Sequence, residues 1–290
     1  MTETIARLGG NGVYARHLIP RLIAAGHSVR AIVRRPEAAG VARACGAEIS
    51  TADIFDTGSM VTALEGCSIA INLATSLPGP SGRGDFEAND RLRAQGTPNF
   101  VEACGNAGVK RVIQQSIGLV GASGDAIWSD EDSTYLPATE TTASKAVAAS
   151  LAMEETITSF GLDWIILRGG LFYGPGTGFD DAWFERAREG KLRLPGDGTD
   201  YVSLIHISDM AAATVSAVNK WPSNSTLIVC DDEPAQWRDV FGFIASCVGE
   251  SAPERGGRIA FPSFRLRNGR AVAALNWRPS YRTFREGLVR

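Results

Sequence analysis

Hydrophobic and polar positions follow two alternating patterns along the first part of the chain. Short apolar runs occur in TIARL, SVRAIV, IAINLA, RVIQQS and DWIILR, and they predict buried strands. Between them, apolar residues recur at helical spacing in YARHLIPRLIAAG, SMVTALEG, RAQGTPNFVEACGNAG and SKAVAASLAMEETITSFG. Strands that alternate with helices predict right-handed crossovers and a parallel sheet covered on both faces. The pattern therefore predicts a doubly wound α/β fold.

The pattern changes after Arg168. The segment GGLFYGPGTGFDD is rich in glycine and proline, one more strand and helix are predicted in VSLIHISDMAAATVSAV, and the remaining segments are less regular. We predict a Rossmann-type dinucleotide-binding core from residues 1–168 plus about 202–220. Residues 169–201 and 221–290 are expected to form a smaller, mainly C-terminal substrate-binding lobe.

Composition excludes several classes of protein. The 290 residues contain 29 Lys+Arg against 32 Asp+Glu, so no excess of positive charge favours a nucleic-acid partner. No apolar run reaches eighteen residues and the N-terminus is polar, which predicts a cytoplasmic protein without a membrane span. The five cysteines include no CxxC pair, and with three histidines they favour reduced thiols over a zinc site.

A glycine-rich turn follows the first predicted strand. Gly9, Gly12 and Ala15 have a GxxGxxA spacing, and their missing or small side chains allow the backbone to approach a pyrophosphate at a helix N-terminus. The alternative is a tight turn without a ligand.

Arg7 lies within the first predicted strand. It needs a carboxylate or carbonyl partner, or a place near the accessible end of the strand, and the sequence assigns it no function.

The residues after the second strand favour a particular cofactor. Arg34 stands where an NAD enzyme has an acidic residue for the ribose hydroxyls, and Arg35 follows it. A guanidinium there can bind a 2′-phosphate, which predicts NADP(H) rather than NAD(H), although a solvated arginine pair is the alternative. Asp53 is expected near the adenine, or as the cap of a helix that begins near Thr57. The predicted cofactor-binding residues are Gly9, Gly12, Val13, Arg34, Arg35, Asp53, Ile54, Leu73, Ala74 and Lys145.

The order of these motifs resembles the extended short-chain dehydrogenase/reductase superfamily, in its NAD-dependent epimerase/dehydratase branch. The resemblance rests on GxxGxxA, VRAIVR, ADIFD, INLA, GVKRVIQQS, LRGGLFYGPG, VSLIHISDMA and LNWRPSYRTFREGL, which together span nearly the whole chain. It implies the Rossmann fold, a nicotinamide cofactor, a small-molecule substrate and a homodimer formed through the helices after Gly96 and Thr141.

The catalytic residues of that superfamily are only partly matched. Ser116 and Lys145 fall on its serine and lysine, but Thr141 replaces the tyrosine four residues before the lysine, and Arg93 replaces an asparagine. A threonine hydroxyl has a far higher pKa and a shorter reach than a phenol. Lys145 is expected to hold the cofactor ribose, the alternative being a surface lysine. With two tyrosines that could supply the missing proton, the predicted catalytic residues are Ser116, Lys145, Thr141, Tyr173 and Tyr135.

Three functions agree with these residues. The first is an NADP(H)-dependent oxidoreductase that acts on a small organic metabolite, including specialised ones, with a non-standard proton donor. The second is a non-redox epimerase, dehydratase, lyase or cyclase. The third is a catalytically silent NADP(H)-binding regulatory or assembly subunit. Candidate groups for an anionic part of the substrate are Arg83, Arg265, Arg267 and Arg270, with surface charge as the alternative for each.

Overall fold

The computed structural model describes residues 3–77, 84–135 and 140–289. Within these ranges the strands are β1 (Thr4–Leu8), β2 (Ser28–Val33), β3 (Glu48–Thr51), β4 (Ile69–Asn72), β5 (Arg111–Ile117), β6 (Trp128–Ser129), β7 (Asp163–Gly169), β8 (Leu171–Tyr173), β9 (Arg193–Pro195), β10 (Tyr201–Val202), β11 (Leu204–His206), β12 (Ser225–Val229), β13 (Ala235–Gln236), β14 (Glu254–Gly257) and β15 (Arg265–Leu266). The α-helices are α1 (Val13–Ala24), α2 (Gly40–Ala44), α3 (Thr57–Leu64), α4 (Phe86–Arg91), α5 (Thr97–Asn106), α6 (Thr142–Ser159), α7 (Phe179–Arg188), α8 (Ile207–Lys220), α9 (Trp237–Cys247), α10 (Gly269–Leu275) and α11 (Phe284–Gly287). A π-helix, Leu92–Gly96, joins α4 to α5.

Seven parallel strands form the central sheet, in the order β12-β7-β5-β4-β1-β2-β3. Strand β1 lies between β4 and β2, and burial on both faces explains why its sequence is nearly continuously apolar. Helices α1 and α8 pack on one face, and α3, α5 and α6 pack on the other. The predicted Rossmann-type fold is confirmed.

The ends of the parallel strands determine where the site lies. The carboxyl ends of β1, β4, β5 and β7 meet at one edge of the sheet, which is where ligands bind in open α/β sheets. At this edge β1 leads into the glycine turn before α1, and β7 leads through Gly170 into β8. No helix in the described ranges is long and apolar enough to cross a membrane.

The remaining elements form a second, smaller core that includes Phe184, Trp237, Phe241, Phe264 and Phe284. Its short strands pair as β8 with β11, β9 with β14, β10 with β13, and β6 with β15. These elements lie outside the seven-stranded sheet, and their assignment to a substrate-binding lobe stays a prediction.

One boundary differs from the sequence prediction. Strand β12 pairs with β7 as the edge strand of the central sheet, although residues 221–290 were all assigned to the lobe. Helix α10 also packs against α8 and β12. Conversely, β11 pairs with β8 outside the central sheet, whereas α8 of the predicted 202–220 segment packs on the sheet.

Candidate cofactor and substrate site

The glycine turn after β1 is shaped for close approach. Gly9 has a φ of 74°, and a Cβ there would lie 3.0 Å from the carbonyl oxygen of Leu73. A Cβ on Gly10 would lie 2.9 Å from the Ala31 Cβ. Gly12 is the N-cap of α1, and no side chain caps this helix, so its first backbone N–H groups point toward the turn. Such amides, with the positive end of the helix dipole, fit a phosphate group.

The turn is bordered by two other loops. Gly9 adjoins Leu73 and Ala74, which follow β4, so the structure brings these predicted cofactor residues together. On the other side, a Cβ on Gly176 would lie 3.4 Å from Cγ1 of Val13. The glycines of residues 174–178 were not predicted to belong to this groove, although their spacing in YGPGTG signalled a close backbone approach.

Arg34 and Arg35 lie directly after β2, and both are exposed. Within the described part of the chain, neither takes part in an ion pair. Their guanidinium groups are therefore available to an anion.

Asp53 and Ile54 follow β3. The Asp53 carboxylate accepts a hydrogen bond of 3.0 Å from the Phe55 amide. The cap of α3 is Asp56, which accepts from two amides of the first turn, so the alternative role of Asp53 as the cap is wrong. Ile54 is buried, and a Cβ on Gly96 would lie 3.1 Å from it, which places Ile54 against the π-helix.

Beneath the glycine turn lies Arg7. Its side chain is fully buried, and Nη1 donates a hydrogen bond of 2.6 Å to the carbonyl oxygen of Gly9. This is the carbonyl partner that the sequence required. Desolvation lowers the pKa of the Arg7 guanidinium to about 9.

Ser116, at the end of β5, belongs to a buried polar network. Its hydroxyl donates to Oε1 of Glu154 on α6 over 2.6 Å. Arg168 on β7 binds both oxygens of the same carboxylate, through Nε at 3.0 Å and Nη2 at 2.7 Å, and its Nη1 donates to the Glu131 carbonyl. The network joins α6 to two strands. Because Ser116 donates its proton to Glu154, it has none left for a substrate oxygen.

The expected cluster of Ser116, Thr141 and Lys145 is not formed. Thr141 is the N-cap of α6 and makes a capping box with Ser144, which uses its hydroxyl. It precedes Glu154 by thirteen residues, which is about 20 Å along a helix, so it lies far from Ser116. Glu154 follows Lys145 by nine positions, which is two and a half helical turns and places the two side chains on opposite faces of α6. Lys145 is 61% exposed and pairs with Glu140 at 3.0 Å.

Other residues occupy the face of α6 that packs on the sheet. One turn before Glu154, Ser150 is fully buried and donates to the carbonyl oxygen of Ala146 over 2.7 Å. Arg93, on the π-helix, is buried, and its Nη1 lies 3.4 Å from that same oxygen. Burial lowers the pKa of Arg93, partly offset by Asp90. A role for Glu154 was not predicted from the sequence. The signal was Arg168, because an arginine in a predicted buried strand needs a carboxylate partner.

The two tyrosines proposed as proton donors lie in the second core. Tyr173 is fully buried, its hydroxyl lies 3.5 Å from the Thr283 carbonyl, and burial raises its pKa. Tyr135 is partly buried and packs against the same core. The other three tyrosines of the chain are Tyr14, Tyr201 and Tyr281, so none of the five lies on α6. No tyrosine therefore stands on α6, where the superfamily's tyrosine would be.

A cleft of about 490 Å³ opens beside the N-terminus of α6. Thr141 and Lys145 line one side, and Arg258, Ile259 and Ala260 line the other. Glu140 also lines the cleft, so it combines the Lys145–Glu140 ion pair with the cation of Arg258 and the apolar side chain of Ile259.

The arginines proposed for an anionic group lie elsewhere. Arg265 and Arg267 stack on Trp128, at 4.3 and 5.0 Å from the ring centroid. Arg270 pairs with Asp132 at 2.7 Å. Arg83 lies outside the described residues. Across the ranges the structure describes, no group of three or more His, Cys, Asp or Glu side chains converges as metal ligands would.

Comparisons of the sequence and fold with known proteins identify the family of this chain. The profile of a family described as NAD(P)H-binding matches residues 9–220. The 3-diazoavenalumate denitrifying reductase of a Streptomyces species is 30% identical, over 97% of this chain and 98% of that protein. A 4-hydroxy-2-methyl-3-oxo-4-farnesyl-3,4-dihydroquinoline-1-oxide ketoreductase of Stigmatella aurantiaca is 24% identical, over 89% of this chain and 76% of that protein. The UDP-glucuronic acid 4-epimerase of Bacillus cereus, solved with UDP-glucuronic acid and NAD, is alike in fold, with a TM-score of 0.79, 21% identity and coverage of 98% of this chain and 96% of that one.

Proposed function

The chain belongs to the extended short-chain dehydrogenase/reductase superfamily, in the branch of NAD-dependent epimerases and dehydratases, and on that premise we propose that it is an NADPH-dependent reductase of a small organic metabolite. The groove formed by Gly9, Gly12, Val13, Leu73 and Ala74 fits the cofactor's diphosphate and would hold it. Arg34 and Arg35 would bind the 2′-phosphate, since both guanidinium groups are exposed and unpaired in the described chain. When bound, the cofactor supplies a hydride.

The observation that carries the proposal is that the tyrosine which serves as proton donor in the superfamily has no counterpart on α6. The hydroxyl of Ser116 is committed to Glu154, and α6 has no tyrosine at any position. Reduction of a ketone needs one proton as well as the hydride, and the superfamily's tyrosine supplies it. A substrate that accepts hydride without a proton removes that requirement.

An aromatic diazonium ion is such a substrate. Its terminal nitrogen accepts the hydride to give a neutral aryldiazene, which releases N₂ as the hydrogen passes to the ring carbon. The balance is ArN₂⁺ + NADPH → ArH + N₂ + NADP⁺, with no other proton consumed. The relative from Streptomyces is named for the reduction of a diazo compound. We therefore propose an aromatic diazo acid as the substrate.

The test compares two acceptors under single-turnover and steady-state conditions. A diazonium derivative of a hydroxycinnamate and the matching aryl ketone are each incubated with NADPH deuterated at the transferred position. We expect equal amounts of NADPH consumed and N₂ released with the diazonium compound, deuterium on the product ring, and far slower turnover of the ketone. NADPH alone with the diazonium compound gives the uncatalysed rate.

Two variants serve as controls. Gly9→Val closes the groove, because its Cβ meets the Leu73 carbonyl at 3.0 Å on a backbone with positive φ, and it should reduce the rate to the uncatalysed level. Arg34→Ala combined with Arg35→Ala should raise KM for NADPH about tenfold or more and leave KM for NADH nearly unchanged. Ketone reduction faster than diazonium reduction would refute the proposed substrate. Tight NADPH binding without turnover of either would instead support a silent binding subunit.

A further inference from the structure

A buried arginine lies directly beneath the glycine turn. Arg7 is 0% exposed, and its Nε has no hydrogen-bond partner. The Gly9 carbonyl, which accepts from Nη1 over 2.6 Å, is an uncharged partner. A guanidinium removed from water is strongly destabilising unless a negative charge compensates it.

The surroundings of Arg7 offer no such charge. Among the described residues, no carboxylate lies within ion-pair distance of its guanidinium. The titratable side chain that interacts with it is Tyr14, whose hydroxyl bonds to Thr214. Burial raises the pKa of Tyr14, so this phenol is neutral near pH 7. Within the described ranges, the protein therefore leaves the charge of Arg7 uncompensated.

The N-terminus of α1 adds positive potential at the same turn. It sits under the turn whose next residues, Gly12 and Val13, begin α1, and the N-terminus of a helix carries partial positive charge. A buried cation at that end of a helix is unfavourable, and both features attract an anion placed on the turn. An anion there would remove an electrostatic cost already present in the cofactor-free protein.

We propose that Arg7 is the buried counter-charge for the diphosphate of the dinucleotide, acting through the Gly9 carbonyl rather than by contact. It is thus a positioning residue for cofactor affinity, separate from the exposed Arg34 and Arg35. The proposal rests on the NAD(P)H-binding groove and not on the reductase reaction. A result that refutes the reductase reaction therefore leaves the role of Arg7 to be tested separately.

The test measures ADP and 2′-AMP binding by titration calorimetry, together with unfolding in urea. ADP carries the diphosphate without the 2′-phosphate, and 2′-AMP carries a 2′-phosphate without the diphosphate. Arg7→Met removes the charge at similar length. We expect it to weaken ADP binding about tenfold or more, to change 2′-AMP binding less than twofold, and to leave the ligand-free protein as stable as before or more stable. Arg7→Lys should retain most of the ADP affinity.

Two further variants separate charge from structure. Arg7→Gln keeps a donor for the Gly9 carbonyl without the charge, and we expect it to bind ADP as weakly as Arg7→Met. Arg30→Met is the matched control from the neighbouring strand, because Arg30 is paired with Glu48 at 2.9 Å. It should lower stability and leave ADP affinity unchanged. Unchanged ADP affinity in Arg7→Gln or Arg7→Met would overturn the proposal, as would a loss in Arg7→Lys as large as in Arg7→Met.

Discussion

Replacing Ser116 by alanine separates a structural serine from a catalytic one. The substitution removes one buried hydrogen bond of 2.6 Å to the Glu154 carboxylate. Bonds to charged groups contribute about 1.5–3 kcal/mol each. Glu154 keeps both bonds to Arg168, at 3.0 and 2.7 Å, so the carboxylate is not left unpaired. We therefore expect the free energy of unfolding to fall by about 1.5 kcal/mol, the lower limit of that range.

The same variant should change turnover little. If Ser116 held a substrate oxygen, its removal would lower kcat by about a hundredfold, as the loss of a general acid–base group does. We expect kcat within about threefold of the wild-type value, measured at a temperature and urea concentration where both proteins are folded. Urea unfolding gives the stability, and Ser116→Thr serves as a control that retains the hydroxyl. A hundredfold fall in kcat with unchanged stability would refute the structural assignment.

Other substitutions test the rest of the site. Glu154→Leu should cost about 3–5 kcal/mol because it leaves Arg168 buried and unpaired, and Arg168→Met in the same chain should recover most of that loss in urea unfolding. Thr141→Ala should cost about 1 kcal/mol through the lost helix cap, whereas Thr141→Ser should cost little in the same measurement. Lys145→Met should alter the Kd for NADPH less than twofold, since its ammonium group is 61% exposed and paired with Glu140; a tenfold loss in calorimetry would contradict this placement. Burial lowers the pKa of Arg7 to about 9, below that of an unfolded arginine, so the unfolded chain holds more protons above pH 9 and the cost of burying Arg7 falls as the pH rises. The stability advantage of Arg7→Met over wild type should therefore be largest below pH 9 and shrink by up to about 1.4 kcal/mol per pH unit above it in urea unfolding.

The sheet was predictable because burial on two faces leaves a strong signal. TIARL and SVRAIV coincide with β1 and β2 at both ends. Strand β12 was not predicted, because STLIV is short and lies in a region without a repeating helix pattern. Its place at the sheet edge depends on pairing with β7, which is a contact distant in sequence.

The site was predictable only where the backbone itself forms it. The turn around Gly9 and Gly12 follows from glycine spacing and strand-to-helix order, which are local properties. Which side chains of α6 face the sheet cannot be read from local sequence, because it depends on how the helix is rotated against the sheet. The spacing of Thr141 and Lys145 predicts that both lie on one face of the helix, but Thr141 is its N-cap, and it is Glu154 that contacts Ser116 and Arg168.

The entry of β12 into the central sheet has a consequence for how this protein diversifies. The lobe is assembled from separate stretches of chain, before α8 and after β12, with this helix and this sheet strand between them. No single exchange of a contiguous gene segment can replace the lobe without also replacing α8 or β12. On the proposed function, we therefore expect new substrate ranges on this scaffold to arise more readily through point changes than through exchange of whole modules by recombination.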